Sequence, residues 1–158
     1  MTALPPPVLA SLAEARRAGE QHLAEPEALE IARALGIGLP ATQVVASGAE
    51  IDVAALPAGR VVVKAVAPGL VHKTEHGAVA VVPGEGAPAA VEERASRVPE
   101  ADRFLVVEHV DVPGGPWGEV LLGMRWTDEF GPVVTIGFGG VAAEFLGDLG
   151  GGRATAVF

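Results

Sequence analysis

Apolar residues near the amino terminus recur at helical spacing. They predict two helices, over residues 8–19 and 26–35, with Ser11 and Glu25 near the two starts and Gly36 at the end of the second. The glycine- and proline-containing segment 36–40 then turns the chain into a predicted strand over residues 42–46. The chain therefore opens with two helices, a turn and a strand.

The rest of the chain alternates strands rich in β-branched residues with helical segments. Residues 60–66 predict a strand that is buried on both faces except at Lys64, and residues 78–82 are the predicted partner strand. Further elements are a helix over 87–98, strands over 104–110, 119–126 and 132–138, and a short helix after Gly139 and Gly140. The loop around residues 113–116 is typical of a wide hairpin. Strands mixed with helices on one side predict an α+β protein.

Composition excludes several classes of function. A chain of 158 residues fits one domain or two small lobes, and its aromatic content of 4% predicts an aliphatic core. The absence of cysteine removes disulfides, thiolate catalysis and cysteine zinc sites, so we expect a reducing compartment, the cytoplasm. No signal peptide or membrane-spanning run is predicted. The net charge of −9 argues against a nucleic-acid partner.

The lysines are concentrated in one part of the chain. Of eleven basic residues only two are lysines, Lys64 and Lys73, nine positions apart. Lys64 interrupts an apolar strand, so its ammonium needs a counter-charge, which a bound phosphate would provide. The alternative is that Lys64 faces solvent on an edge strand or extends past its neighbours to water.

The segment from His72 to Gly77 places two imidazoles, an ammonium, a hydroxyl and a carboxylate close together. A neutral imidazole can accept a phosphoryl group, and Glu75 is a candidate to orient it. The alternative is a polar surface turn between two strands. A zinc site on His72 and His76 is disfavoured, since the segment is not helical and lacks a third ligand.

A glycine-rich loop and four acidic residues complete the candidates. The Gly-Phe-Gly-Gly segment at 137–140 lies between a strand and a helix, where backbone N–H groups can meet a phosphate. Carboxylates near strand ends and glycine loops are suitable ligands for Mg²⁺ beside a nucleotide. Those carboxylates belong to Glu108, Glu119, Glu144 and Asp148, and each is equally compatible with a solvated surface charge.

Four segments, taken in order, resemble a known family. They are residues 23–40, residues 63–79, residues 126–132 and residues 137–148. Together they resemble the ATP-grasp domain of ADP-forming acetyl-CoA and acyl-CoA synthetases, which are related to succinyl-CoA synthetase. The resemblance implies an ATP-grasp fold of two small α+β lobes with mainly antiparallel sheets. The sequence departs from the family pattern at Ala67, Gly69, Ala78 and Glu129.

The resemblance also implies roles for particular residues and two ligands, ATP or ADP and Mg²⁺. His72 would be the catalytic residue that relays a phosphoryl group. Lys64 and Lys73 would contact nucleotide phosphates, as would the backbone at Gly139 and Gly140. The remaining implied contacts are Val107 and Glu108 at the adenine hinge, Glu119 near the ribose or hinge, and Glu144 and Asp148 on the metal.

The resemblance finally implies a domain organisation and a reaction. We expect a helical lead over 1–22, a first lobe over 23–103, and a hinge with an incomplete second lobe over 104–158. The implied reaction converts acyl-CoA, ADP and phosphate to acid, CoA and ATP. We expect it to need a CoA-binding and CoA-ligase (alpha-type) subunit or domains, without which this chain would be inactive. The alternative is a non-catalytic nucleotide-sensing or interaction module of the same descent.

Overall fold

The computed structural model describes residues 6–19, 23–67, 77–111, 118–140, 142, 143 and 145. The α-helices with full bounds are α1 (Pro6–Ala18), α2 (Glu25–Ala34) and α3 (Ala87–Arg97), and residues 140, 142, 143 and 145 are also helical, as predicted. The strands there are β1 (Thr42–Val45), β2 (Arg60–Val66), β3 (Val79–Pro83), β4 (Arg103–Glu108), β5 (Val120–Thr127) and β6 (Gly131–Phe138). Short 3₁₀ turns cover Gly48–Glu50, Val53–Ala55 and Gly84–Gly86.

The observed helices and strands lie within two residues of the predicted bounds. Helix α1 begins at Pro6, so Ser11 lies inside the helix and not near its start. The missing N–H of proline costs nothing in the first turn, where no intrahelical partner exists. Helix α2 likewise carries Pro26 in its first turn, and its first residue is Glu25.

The strands form two separate antiparallel sheets. The larger has the order β1-β4-β2-β3, and the smaller consists of β5 and β6. The predicted pairing of β2 with β3 is confirmed. The predicted hairpin between β4 and β5 is wrong, because β4 pairs with β1 and β2 whereas β5 pairs with β6. The edge-strand interpretation of Lys64 is also wrong, since β2 lies inside the sheet.

The two faces of the larger sheet carry different helices. Val61, Val63 and Ala65 alternate along β2 and are buried with Val91 of α3 and with other residues of the main core. Val66, Leu105 and Val107 form a second cluster on the opposite face, against Leu29 of α2. Helices therefore cover both faces of this sheet, and the expectation of helices on one side is wrong.

The chain divides into two compact units, residues 1–110 and residues 111–158. We call them the amino-terminal and carboxy-terminal units. The first contains the larger sheet and its two core clusters. The second contains the β5–β6 hairpin, whose chain reversal enters β6 through Gly131 at a φ of 70°. Across the described ranges, no helix is both long and apolar enough to cross a bilayer.

Candidate functional site

Lys64 lies at the centre of the larger sheet, on the face that α2 covers. Its cross-strand neighbours are Leu105 on β4 and Val79 on β3. Leu105 is fully buried, while the Lys64 side chain is 26% exposed. The aliphatic part of the lysine therefore lies on an apolar surface, and its ammonium is close to water without being free in it.

The counter-charge that Lys64 needs is supplied by Glu25. Lys64 Nζ lies 2.5 Å from Glu25 Oε1, and the Glu25 side chain is 31% exposed. Glu25 occupies the first turn of α2, where the helix dipole favours a negative side chain. The Lys64 and Glu25 side chains are both mostly buried, and their charged groups form a charge-assisted hydrogen bond.

A second ion pair lies beside the first. The register pairs Val66 with Arg103, so Arg103 is the diagonal neighbour of Lys64 on the same face. Arg103 Nη1 lies 2.6 Å from Glu27 Oε1, and its Nε lies 3.6 Å from Asp102. The hydrogen bond to Glu27 raises the pKa of Arg103 above its ordinary value, against the opposing effect of burial. We refer to Lys64, Arg103, Glu25 and Glu27 as the charged cluster.

The predicted hinge residues Val107 and Glu108 have different surroundings. Val107 is opposite Val62 and shares the face of Lys64. Glu108 is opposite Val61, on the face that α3 covers. Its carboxylate accepts a hydrogen bond from the Ala41 N–H at 3.1 Å, and its own N–H donates to the Ala41 carbonyl at 2.8 Å. Val107 therefore lies on the same face of the sheet as Lys64, whereas Glu108 lies on the opposite face.

The carboxy-terminal unit brings three other predicted residues together. The Gly139 N–H donates to the Glu119 carbonyl at 2.9 Å, and Ala143 N–H donates back to the Gly139 carbonyl at 3.3 Å. Gly140 has a φ of 51°, and a Cβ there would collide with the Glu119 carboxylate. The positive φ favours glycine at Gly140, whereas the exposed Glu119 side chain could turn away from a Cβ. Glu119, Gly139 and Gly140 therefore form one local structure at the end of β6.

Four predicted site residues lie outside the described residues: His72, Lys73, Glu144 and Asp148. The same holds for Glu75 and His76, which the sequence also singled out. The carboxyl end of their loop is described, and there Ala65 N–H donates to the Ala78 carbonyl at 2.8 Å. Within the described ranges, no three His, Asp or Glu side chains are grouped as a metal site would require.

Sequence reasoning missed Glu25, Glu27 and Arg103. The signal available was the pair of acidic residues in the first turn of α2, together with the one lysine in the middle of an apolar stretch of β2. Neither feature identifies the partner of Lys64, because Glu25 and Lys64 are 39 residues apart in the chain.

The chain matches the model of the ATP-grasp domain family over residues 14–154. It belongs to the ATP-grasp domain family. Its relatives include the ADP-forming acetate–CoA ligase I subunit beta of Pyrococcus furiosus, which is 32% identical over 143 residues. That alignment covers 86% of this chain and 61% of the relative. The resemblance stated from the motifs is confirmed.

Solved structures agree with this assignment. Dinucleotide-forming acetyl-coenzyme A synthetase 1 of Ca. Korarchaeum cryptofilum, in complex with coenzyme A, Ca-AMPCP and HgCl+, matches with a TM-score of 0.64 and 30% identity, over 82% of this chain and 59% of that one. A second structure of that enzyme contains coenzyme A and Mg-AMPPCP, with its phosphohistidine segment pointing towards the nucleotide-binding site. It matches with a TM-score of 0.56 and 26% identity, over 87% and 60%. The predicted ATP-grasp fold is confirmed, and the chain spans about three fifths of these relatives.

Proposed function

We propose that this chain is the ATP- and ADP-binding component of an ADP-forming acyl-CoA synthetase. The reaction would be acyl-CoA + ADP + phosphate = acid + CoA + ATP. Family membership and the similarity to an acetate–CoA ligase subunit support the assignment. The structural observation that carries it is Lys64, whose ammonium lies on an apolar sheet face and already binds an anionic oxygen.

The surroundings of Lys64 fit a nucleotide phosphate. An ammonium has three N–H donors, and one of them is directed at Glu25. Phosphate oxygens accept such hydrogen bonds as carboxylate oxygens do, and the partial exposure of Lys64 lets an anion approach. The related synthetase has been solved with Ca-AMPCP and with Mg-AMPPCP, which supports a nucleotide and a divalent cation as ligands here.

Further nucleotide contacts are proposed from the resemblance of this chain's motifs to those of the family. They comprise Lys73 and the Gly139 and Gly140 backbone at the phosphates, Val107 and Glu108 at the adenine, and Glu119 near the ribose. Glu144 and Asp148 are the proposed ligands of Mg²⁺, since carboxylate oxygens suit that ion. When bound, the ion would neutralise phosphate charge.

We also propose a domain organisation for the chain. It consists of a helical lead over 1–22, a first lobe over 23–103, and a hinge with part of a second lobe over 104–158.

His72 is the proposed phosphoryl relay. In the ATP-consuming direction, a neutral imidazole nitrogen of His72 attacks the γ-phosphorus of ATP. A P–N bond forms, the bond from phosphorus to the β,γ-bridging oxygen breaks, and ADP leaves. Because phosphoryl transfer depends mainly on positioning and charge neutralisation, Lys64 and Lys73 are the cations proposed to act on the transferred group. The related synthetase has a phosphohistidine segment, which supports this role.

An alpha-type partner would supply the CoA-binding and CoA-ligase parts. The relative from Pyrococcus furiosus is one subunit of its enzyme, and this chain spans 61% of that subunit. The acyl chemistry is therefore proposed to occur in the partner, and this chain alone is not expected to form acyl-CoA. Acid selectivity is expected to belong to the partner as well.

Calorimetric titration of ADP and ATP, with Mg²⁺, tests the nucleotide site. We expect saturable binding by the wild-type chain and a loss of about ten- to a hundredfold in affinity for Lys64→Ala, as for removal of a charge-assisted hydrogen bond. Arg33→Ala is the matched control, since Arg33 is a cation of α2 that pairs with Glu30 instead. Equal affinities of Lys64→Ala and Arg33→Ala would contradict the proposed site.

The relay is tested separately by incubating the chain with Mg²⁺ and ATP labelled at the γ-phosphate. We expect an acid-labile, base-stable label on the wild type and on His76→Ala, and none on His72→Ala, because only His72 is proposed to accept the phosphoryl group. His76 lies in the same loop and carries the same chemistry, so it controls for non-specific transfer. Nucleotide binding without any label would favour the nucleotide-sensing module instead.

A further inference from the structure

The charged cluster leaves little positive charge for an incoming anion. Lys64 is paired with Glu25, and Arg103 is held by Glu27 and approached by Asp102. These two cations thus face three carboxylates. A nucleotide phosphate that reached Lys64 would meet a cluster whose formal charge is already zero, from two positive and two negative groups, with Asp102 beside Arg103.

Glu25 is the carboxylate that opposes phosphate binding most directly. At 2.5 Å its Oε1 occupies one of the hydrogen-bonding directions of the Lys64 ammonium. A phosphate on the same ammonium would bring two negative groups close together, and like charges in a partly buried setting repel each other.

We propose that Glu25 is the resident counter-ion of Lys64, displaced by the nucleotide phosphate, and that it thereby sets the affinity of the chain for nucleotide. This inference rests on the proposed function of Lys64. It assigns to Glu25 a positioning and tuning role: the carboxylate keeps the ammonium on the sheet face in the empty site and is exchanged for a phosphate oxygen on binding.

The exchange does not require helix α2 to leave the sheet. Glu27 remains bound to Arg103, and Leu29 remains packed on the apolar cluster of Val66, Leu105 and Val107. Only the Glu25 side chain needs to change its rotamer, and its partial exposure lets it turn to water. The expected consequence is a change in nucleotide affinity with little change in fold.

Glu25→Gln tests this inference, because it keeps the shape of the side chain and removes its charge. We expect the Kd for ADP with Mg²⁺ to fall about three- to tenfold, in keeping with the removal of a partly screened charge near the site. Glu30→Gln is the matched control: it makes the same charge change on the same helix, but its side chain is 58% exposed and pairs with Arg33. Glu25→Ala should tighten binding in the same direction.

The double variants locate the effect. In a Lys64→Met background, Glu25→Gln is expected to leave nucleotide affinity unchanged, since no ammonium remains to be released. Unchanged or weakened binding by Glu25→Gln, relative to Glu30→Gln, would overturn the inference while leaving the Lys64 site intact. A wild-type chain without Lys64-dependent binding would instead overturn the proposed function, and the displacement of Glu25 with it. Circular dichroism confirms that each variant is folded.

Discussion

Two arginines in the last turns of helix α3 differ sharply in their surroundings. The Arg94 side chain is 6% exposed, whereas that of Arg97 is 54% exposed. Both guanidinium groups pair with Glu93, but Arg94 also donates from Nη1 to the Val79 carbonyl at 3.0 Å. Its Nε is buried without a hydrogen-bond partner. Arg94 therefore joins α3 to the start of β3, immediately after the loop that contains His72.

Arg94→Ala is expected to lower the free energy of unfolding by about 2–4 kcal/mol, because it leaves the Val79 carbonyl without its donor and opens a cavity under α3. Arg97→Ala serves as the control and should cost less than about 1 kcal/mol, as for an exposed ion pair. Urea denaturation of both variants measures the difference. Similar losses for the two variants would contradict the structural role of Arg94.

At the scale of elements, local periodicity located the strands but not their partners. Residues 60–66 and 78–82 were predicted to pair, and they do, since one loop joins them. The same reasoning paired β4 with β5, yet β4 lies between β1 and β2. The alternation of residues along a strand specifies which of them share a face. The neighbouring strand in the sheet depends instead on how that face is buried against residues distant in sequence.

For the candidate site, as for the sheet, the sequence indicated which residues need a partner but not which residue the partner is. The need of Lys64 for a counter-charge follows from a lone ammonium in an apolar strand, and that need is confirmed. The sequence does not indicate that Glu25 supplies this counter-charge, because the pairing depends on helix α2 packing on one face of the sheet. Val107 is separated from Glu108 for a similar reason: adjacent residues of a strand point to opposite faces.

At the scale of the whole molecule, the two units differ in how much apolar surface they bury. Both core clusters belong to residues 1–110. In the carboxy-terminal unit, the described part of the chain has Val133 and Ala142 as buried apolar residues, whereas Val120, Leu122, Ile136 and Phe138 are exposed on the hairpin. A two-stranded sheet alone is marginally stable in water. The amino-terminal unit is thus the better candidate for independent folding.

A fragment of residues 1–110 is expected to unfold in one cooperative thermal transition, because it retains the four-stranded sheet and both clusters. A fragment of residues 111–158 should show no cooperative transition by the same calorimetric measurement. The reverse pattern, with cooperative unfolding confined to the second fragment, would show that the main core does not stabilise the protein.

The sequence alone determined the positions of helices and strands and the family, and it supplied the candidate phosphate-binding residues, because periodicity and motifs are properties of neighbouring residues. The tertiary structure alone decided that Glu25 pairs with Lys64, that Glu27 pairs with Arg103, and that β4 lies between β1 and β2. Those pairings join residues far apart in the chain. They follow from how apolar faces are buried together, which no local pattern specifies.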